Sequence, residues 1–112
     1  FHSSLMKPAA ERLREKLLAV NIAAPRIAVV NNIDVAVQTD PAAIRDALYR
    51  QSFGAVRWVE TVVALRARGV GALIECGPGK VLAGMVKRID ASAASAAIYD
   101  PVTLAEAKAL AA

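Results

Sequence analysis

One histidine and one cysteine, His2 and Cys76, are all that this chain of 112 residues holds of either type. That scarcity closes off several chemistries at once. A lone thiol cannot form an internal disulfide and suits a reducing compartment. One His and one Cys cannot supply the three or four protein ligands of a zinc site. None of Ser3, Ser4, Ser52, Ser92 and Ser95 has the flanks of a Gly-x-Ser-x-Gly nucleophile elbow. Aromatic residues make up 4% of the chain, and Tyr49, Trp58 and Tyr99 fall into no basic-aromatic pattern of a nucleic-acid binder. No apolar run approaches the ~20 residues of a membrane span, and no signal-peptide pattern is present. These absences set the expectation of a cytoplasmic chain with no metal, no nucleic acid and no membrane.

Hydrophobic residues account for 56% of the sequence, and several short runs are apolar throughout. The length is that of one ordinary domain, with no linker or repeat, so residues 1–112 are read without an internal boundary. The chain opens on Phe1 rather than Met, and its strands are few for a sheet covered on both faces. The expectation is a piece of a larger protein. Fourteen Lys and Arg against ten Asp and Glu leave a net charge of +4. That charge suits an anionic partner such as a phosphate-bearing cofactor, an acidic protein or a nucleic acid, or else belongs to solvated faces.

Ser3 or Ser4 can cap a helix running to about Val20, with Pro8 in its first turn and Met6, Ala9, Leu13, Leu17 and Val20 on one face. Ile27 to Val30 reads as a strand buried on both faces. Asn31-Asn32-Ile33-Asp34 follows as a turn former, with a binding role for Asn31 or Asn32, at a strand end, as the alternative. Asp40 and Pro41 start a helix whose stripe of Ile44, Ala47 and Leu48 continues to Gln51. A second helix covers Val56 to Arg68, with Val56, Val59, Val63 and Leu65 expected inward, Trp58 partly wet and Gly69 as the C-terminal cap. Residues 72–76 form a strand in which Cys76 is expected as a small core residue. Ser95 to Tyr99 form a third strand, and a final helix starts at Asp100-Pro101 or Thr103. Helices alternating with short apolar strands indicate an α/β fold with a mainly parallel sheet.

Three features could carry chemistry. His2, just before a helix, is either a surface residue or a general base, since imidazole titrates near neutrality. A base without a nucleophile cannot complete nucleophilic catalysis, so a partner would have to come from outside these residues. Gln51, polar on an apolar stripe, either bonds local backbone past a helix end or needs a specific partner. Gly77-Pro78-Gly79-Lys80 joins a strand to a helix, where backbone amides can face an anion. The phosphate-loop pattern fails there, because Ile74 and Val81 stand where it needs Gly and Ser or Thr. A tight strand-to-helix turn is the alternative.

Four segments stand in a fixed order and spacing: Phe-His-Ser-Ser-Leu-Met-Lys-Pro-Ala at 1–9, Val-Val-Asn-Asn-Ile-Asp at 29–34, Ile-Arg-Asp-Ala-Leu-Tyr-Arg-Gln at 44–51 and Glu-Cys-Gly-Pro-Gly-Lys-Val-Leu at 75–82. Together they resemble the C-terminal third of the malonyl-CoA:acyl carrier protein transacylases of type II fatty acid synthesis. The resemblance implies the C-terminal part of an α/β-hydrolase-like large subdomain, with a ferredoxin-like small subdomain upstream. It implies transfer of malonyl from coenzyme A to the phosphopantetheine thiol of acyl carrier protein through a serine outside this chain, with no bound cofactor. His2 would be the base, Gln51 would orient it through its main-chain carbonyl, and Phe1 would favour malonyl. The remainder of the acyltransferase would be a partner, and the chain alone would be inactive. The rival reading is a noncatalytic module that binds an acidic carrier protein through Arg45, Arg50, Arg57, Lys80, Lys87 and Arg88.

Overall fold

The computed structural model describes residues 1–111. They divide into two compact units, Phe1–Thr61 and Val62 onward, and the division falls inside one helix.

In the first unit a 3-10 turn, Ser4–Met6, leads into α1, Lys7–Ala19. Pro8 sits in the first turn of α1, where its missing N–H costs nothing. The expected serine cap is not made: Ser3 starts the 3-10 turn without a side-chain bond. α2, Pro41–Gln51, is capped as expected, Asp40 accepting the Ala43 N–H at 2.8 Å. α1 and α2 pack together, with Ala10 and Ala47 buried, small side chains that let two helices approach closely. Arg45 reaches from α2 to the end of α1, donating to the carbonyls of Leu17 and Val20 at 2.9 and 2.8 Å. The Leu17 carbonyl, which also accepts the Val20 N–H at 3.3 Å, lies in the last turn of α1, and Val20 caps that end. Tyr49 adds a 2.5 Å bond to Glu11 and an edge-on contact with the Phe53 ring.

The expected strand at 27–30 shrinks to β1, Val30–Asn31, paired antiparallel with β2, Ala36–Val37. Ile27 and Val29 are 81% and 58% exposed, so the run is not buried on both faces. An apolar run becomes a buried strand only where neighbouring strands and covering helices exist, and among the described residues β1 has one short partner. Asn31 builds the connecting turn. Its amide donates to the Ala36 carbonyl at 2.9 Å, and its Oδ1 accepts the Asp34 N–H at 2.8 Å. Val35 is held there at φ 57°, a conformation that β-branched residues avoid.

α3, Trp58–Ala67, spans the division. The inward set anticipated from sequence is out of phase. Val56, Val59 and Val63 are 40%, 55% and 56% exposed, whereas Thr61 and Val62 are buried. Val59, Val62 and Val63 fall within about 100° of one another around the helix, and burial is centred past the Val62 edge of that stripe, where Thr61 lies. Gly69, at φ 83°, ends α3 as expected. The Val70 N–H reaches the Leu65 carbonyl and the Gly69 N–H the Arg66 carbonyl, at 3.2 and 2.9 Å, the paired bonds of a left-handed helix cap.

The second unit is a β-α-β-α arrangement. β3, Ala72–Cys76, and β4, Ala94–Ile98, pair in parallel with Ala72 opposite Ala94 and Cys76 opposite Ile98. α4, Val81–Ile89, makes the crossover, and α5, Pro101–Ala111, follows β4. Both helices pack against the strands, with Val86 and Ala107 buried. Cys76 is exposed rather than a core residue, because it ends its strand where the chain turns away. Arg66 ties the end of α3 to the end of α4, donating to Asp90 at 2.8 Å and to the Val70 carbonyl at 2.5 Å. The parallel pair with its helices agrees with the α/β class expected from sequence.

Candidate functional site

His2 occupies a conformation that few side-chain-bearing residues take, with φ at 57°. Its imidazole Nδ1 lies 3.0 Å from the main-chain oxygen of Gln51. A carbonyl can only accept, so Nδ1 is the donor, and in the neutral ring the lone pair then sits on Nε2. Gln51 is the last residue of α2. Ahead of it, the Tyr49 carbonyl accepts from the Ser52 N–H at 3.3 Å, and the Arg50 carbonyl accepts from the Phe53 and Gly54 N–H groups at 3.3 and 2.8 Å. The Gln51 carbonyl turns instead to the imidazole. The polar residue that looked out of place on the apolar stripe thus meets His2 through its backbone, a contact its side-chain type does not announce.

Gln51 also borders a cleft of about 390 Å³ within the first unit, with Asn31, Asn32, Gln38 and Trp58 on its walls. Asn32 Oδ1 and Trp58 Nε1 are buried and have no hydrogen-bond partner among the described residues. Phe1, in contrast, is 97% exposed, and any role in selecting substrate would need groups from outside these residues to close around it.

The charges flanking Gln51 are organised. Arg50 points its fork at Asp34, Nη1 to Oδ1 at 2.6 Å and Nη2 to Oδ2 at 2.7 Å, and its Nε donates to Asp46 at 2.6 Å. The fork's hydrogen bonds hold the Asp34 carboxyl below the usual carboxylate range, and the two carboxylates push the guanidinium further up. Arg45 is occupied with α1, and Arg57 pairs with Glu60 at 3.3 Å. Three of the six cations considered as a carrier-binding face therefore have partners within the chain. Asp34 was not singled out as a site residue from sequence, although its place in the Asn-Asn-Ile-Asp turn was the available signal.

The glycine turn before α4 is no phosphate cradle. The Glu75 carboxylate accepts the Ala83 N–H at 2.9 Å, so the amide end of α4 already holds an anion belonging to the chain. Ser95 Oγ donates to the Ala83 carbonyl at 3.1 Å, fixing the same residue from β4. Among the described residues no group of three or more His, Cys, Asp or Glu could hold a metal, and no helix is long and apolar enough to cross a membrane.

No family model matches the chain. Among curated proteins, it is 47% identical over 106 residues to the malonyl CoA-acyl carrier protein transacylase of Salmonella typhimurium, covering 95% of this chain and 34% of the relative. It is 43% identical over 104 residues to that of Bacillus subtilis, covering 93% and 33%. Among solved structures, an acyl-carrier-protein S-malonyltransferase from Burkholderia pseudomallei superposes with a TM-score of 0.89 at 61% identity, covering 96% of this chain and 35% of that one. A malonyl-transacylase in complex with a type II polyketide acyl carrier protein superposes with a TM-score of 0.89 at 45% identity, over 95% and 34%. The chain spans about a third of the length of the curated relatives it matches. Over that third, its sequence and its fold match those of the malonyl-CoA:acyl carrier protein transacylases.

Proposed function

We propose that these residues form the C-terminal, base-bearing part of an acyltransferase that moves malonyl from coenzyme A to the phosphopantetheine thiol of acyl carrier protein. The nucleophilic serine lies in the remainder of the enzyme. The observation that carries this reading is the 3.0 Å bond between His2 Nδ1 and the Gln51 carbonyl, made across 49 positions of sequence by the chain's sole histidine. The bond leaves Nε2 as the basic atom, as a general base requires.

In the first half-reaction Nε2 takes the serine proton as the serine oxygen attacks the malonyl thioester carbonyl. The carbon–sulfur bond then breaks, and the coenzyme A sulfur departs with the proton from the imidazolium. The second half reverses these steps. Nε2 accepts the proton of the phosphopantetheine thiol, the sulfur attacks the acyl-serine ester, and the serine oxygen recovers the proton on leaving. Coenzyme A thioester is substrate here, and no bound cofactor is needed.

The test is a full-length transacylase carrying these residues. His2→Ala should slow transfer of labelled malonyl to carrier protein by about 10² or more, and a rate within about threefold of wild type would remove the base from the proposal. The 112-residue chain alone should show no malonyl mass adduct, since none of its serines sits in a nucleophile elbow. A stoichiometric adduct would place the nucleophile inside the chain.

A further inference from the structure

The Asn31-Asn32-Ile33-Asp34 turn has no part in the chemistry above, yet three consecutive residues of it hold the segment that carries the Gln51 carbonyl. Asp34 takes the bidentate fork of Arg50, the residue immediately before Gln51, at 2.6 and 2.7 Å. Ile33 lies against Gly54 so closely that a Cβ there would overlap Ile33 Cδ1 and fall 2.9 Å from the Arg50 carbonyl. The Asn32 carbonyl accepts the Arg57 N–H at 2.9 Å. The turn is itself fixed from within by both ends of the Asn31 amide, and it holds Val35 in a strained conformation. Such strain persists only where surrounding contacts over-determine the backbone.

We propose that this turn is the positioning element of the His2–Gln51 pair, with the Asp34–Arg50 fork as its main strut. The proposal rests on the reading of His2 as the base. The end of a helix frays unless its last carbonyls are held, and here the carbonyl that orients the base lies in that last turn. Arg50 is locked from both sides, by Asp46 one turn back on α2 and by Asp34 across the turn. Neither carboxylate touches the imidazole in this structure; each acts through Arg50 on the residue next to it.

Kinetics on a full-length transacylase carrying these residues test this, with rates normalised to folded enzyme. Asp34→Ala and Arg50→Met should each lower kcat for malonyl transfer about tenfold or more with KM for malonyl-CoA unchanged, because a misplaced base slows the chemistry without weakening substrate binding. The double variant should be no slower than either single one, as expected for two residues acting as one strut. Arg50→Lys, which keeps the charge but not the fork, should fall with Arg50→Met, and it stands in for Asp34→Ala if that variant does not fold. A kcat within about twofold of wild type in folded Asp34→Ala or Arg50→Lys, or losses that multiply in the double variant, would overturn the proposal. His2→Ala in the same assay separates the two claims. Wild-type-like transfer there would remove the base reading itself, whereas a slow His2→Ala beside a fast Asp34→Ala would remove only the strut.

Discussion

The imidazole of His2 donates from Nδ1 to the main-chain oxygen of Gln51 at 3.0 Å, so a helix terminus stands where a carboxylate orients the histidine of a hydrolase triad. The two acceptors differ in charge. A carboxylate carries a full negative charge, whereas the C-terminal end of α2 carries about half of one spread over its last carbonyls, worth roughly 0.3–1 kcal/mol to a nearby cation at an exposed site. If His2 is the base proposed above, its imidazolium would thus be stabilised less than in a triad. Against that, the acceptor belongs to the main chain, so side-chain substitutions at position 51 do not remove it.

That last property separates two substitutions. Gln51→Ala keeps the carbonyl and a good helix former, and should leave malonyl transfer by a full-length enzyme within about threefold of wild type. Gln51→Pro removes an N–H from the last turn of α2 and crowds the carbonyl one turn back, so the acceptor moves and transfer should fall about tenfold or more. Equal and complete loss in both variants would assign the role to the side chain.

Two glycines of opposite character offer a stability test by urea unfolding. A Cβ at Gly54 would overlap Ile33 Cδ1 and meet the Arg50 carbonyl at 2.9 Å, so Gly54→Ala must shift the turn and should cost about 1–3 kcal/mol. Gly84 lies inside α4 with nothing within 4 Å of its would-be Cβ. Gly84→Ala should stabilise by about 0.5–1 kcal/mol, since alanine loses less freedom in a helix. A neutral Gly54→Ala would show that Ile33 yields easily.

The sequence was most legible where local chemistry decides the structure. Asp40-Pro41 starts α2, residues 72–76 form β3, and Gly69 closes α3, each fixed by side chains or φ preferences within a few residues. It was less legible where the outcome depends on neighbours. Ile27 to Val30 has the composition of a buried strand, but with one short partner strand among the described residues only Val30 of that run pairs. The phase of α3 was hidden because Val56, Val59 and Val63 are as apolar as Val62. For the candidate site, His2 stood out by its uniqueness, whereas the acceptor at Gln51 is a backbone atom that no residue type encodes and that only the family resemblance pointed to. The Asp34–Arg50 fork joins residues 16 apart through a turn whose shape had to be known first.

The amide end of α4 gives a test of the glycine turn. Glu75 already accepts the Ala83 N–H, so inorganic phosphate at millimolar concentration should leave the unfolding midpoint of the chain unchanged. Glu75→Ala, which removes that acceptor, should lose about 1 kcal/mol, as capping residues do, while Glu75→Gln keeps an acceptor oxygen and should lose less. Phosphate stabilisation of the wild-type chain would restore the anion-site reading of Gly77 to Lys80.

Acid unfolding gives the last test, through Asp90. Its carboxylate accepts from the Ser92 N–H and hydroxyl at 2.9 and 2.6 Å and from Arg66 at 2.8 Å. These bonds, those of Ser92 foremost, hold its pKa at about 2, against an ordinary 3.8. A carboxyl whose pKa is depressed on folding adds stability that is complete above its unfolded pKa and is lost as pH falls through its folded one. The contribution of Asp90 should therefore be constant above about pH 5, shrink below about pH 4 and be largely gone near pH 2. Asp34, Glu60 and Asp100 are also held low, by Arg50, by backbone and Arg57 bonds, and by Thr103 respectively, so the acid limb of the wild-type curve is a composite. The difference between wild type and Asp90→Asn isolates the one group. Measured by urea unfolding from about pH 6 to pH 2, that difference should narrow as pH falls, because the wild type loses an advantage that asparagine never had. A gap that stays constant over this range would mean that Arg66 and Ser92 hold position 90 by neutral hydrogen bonding alone.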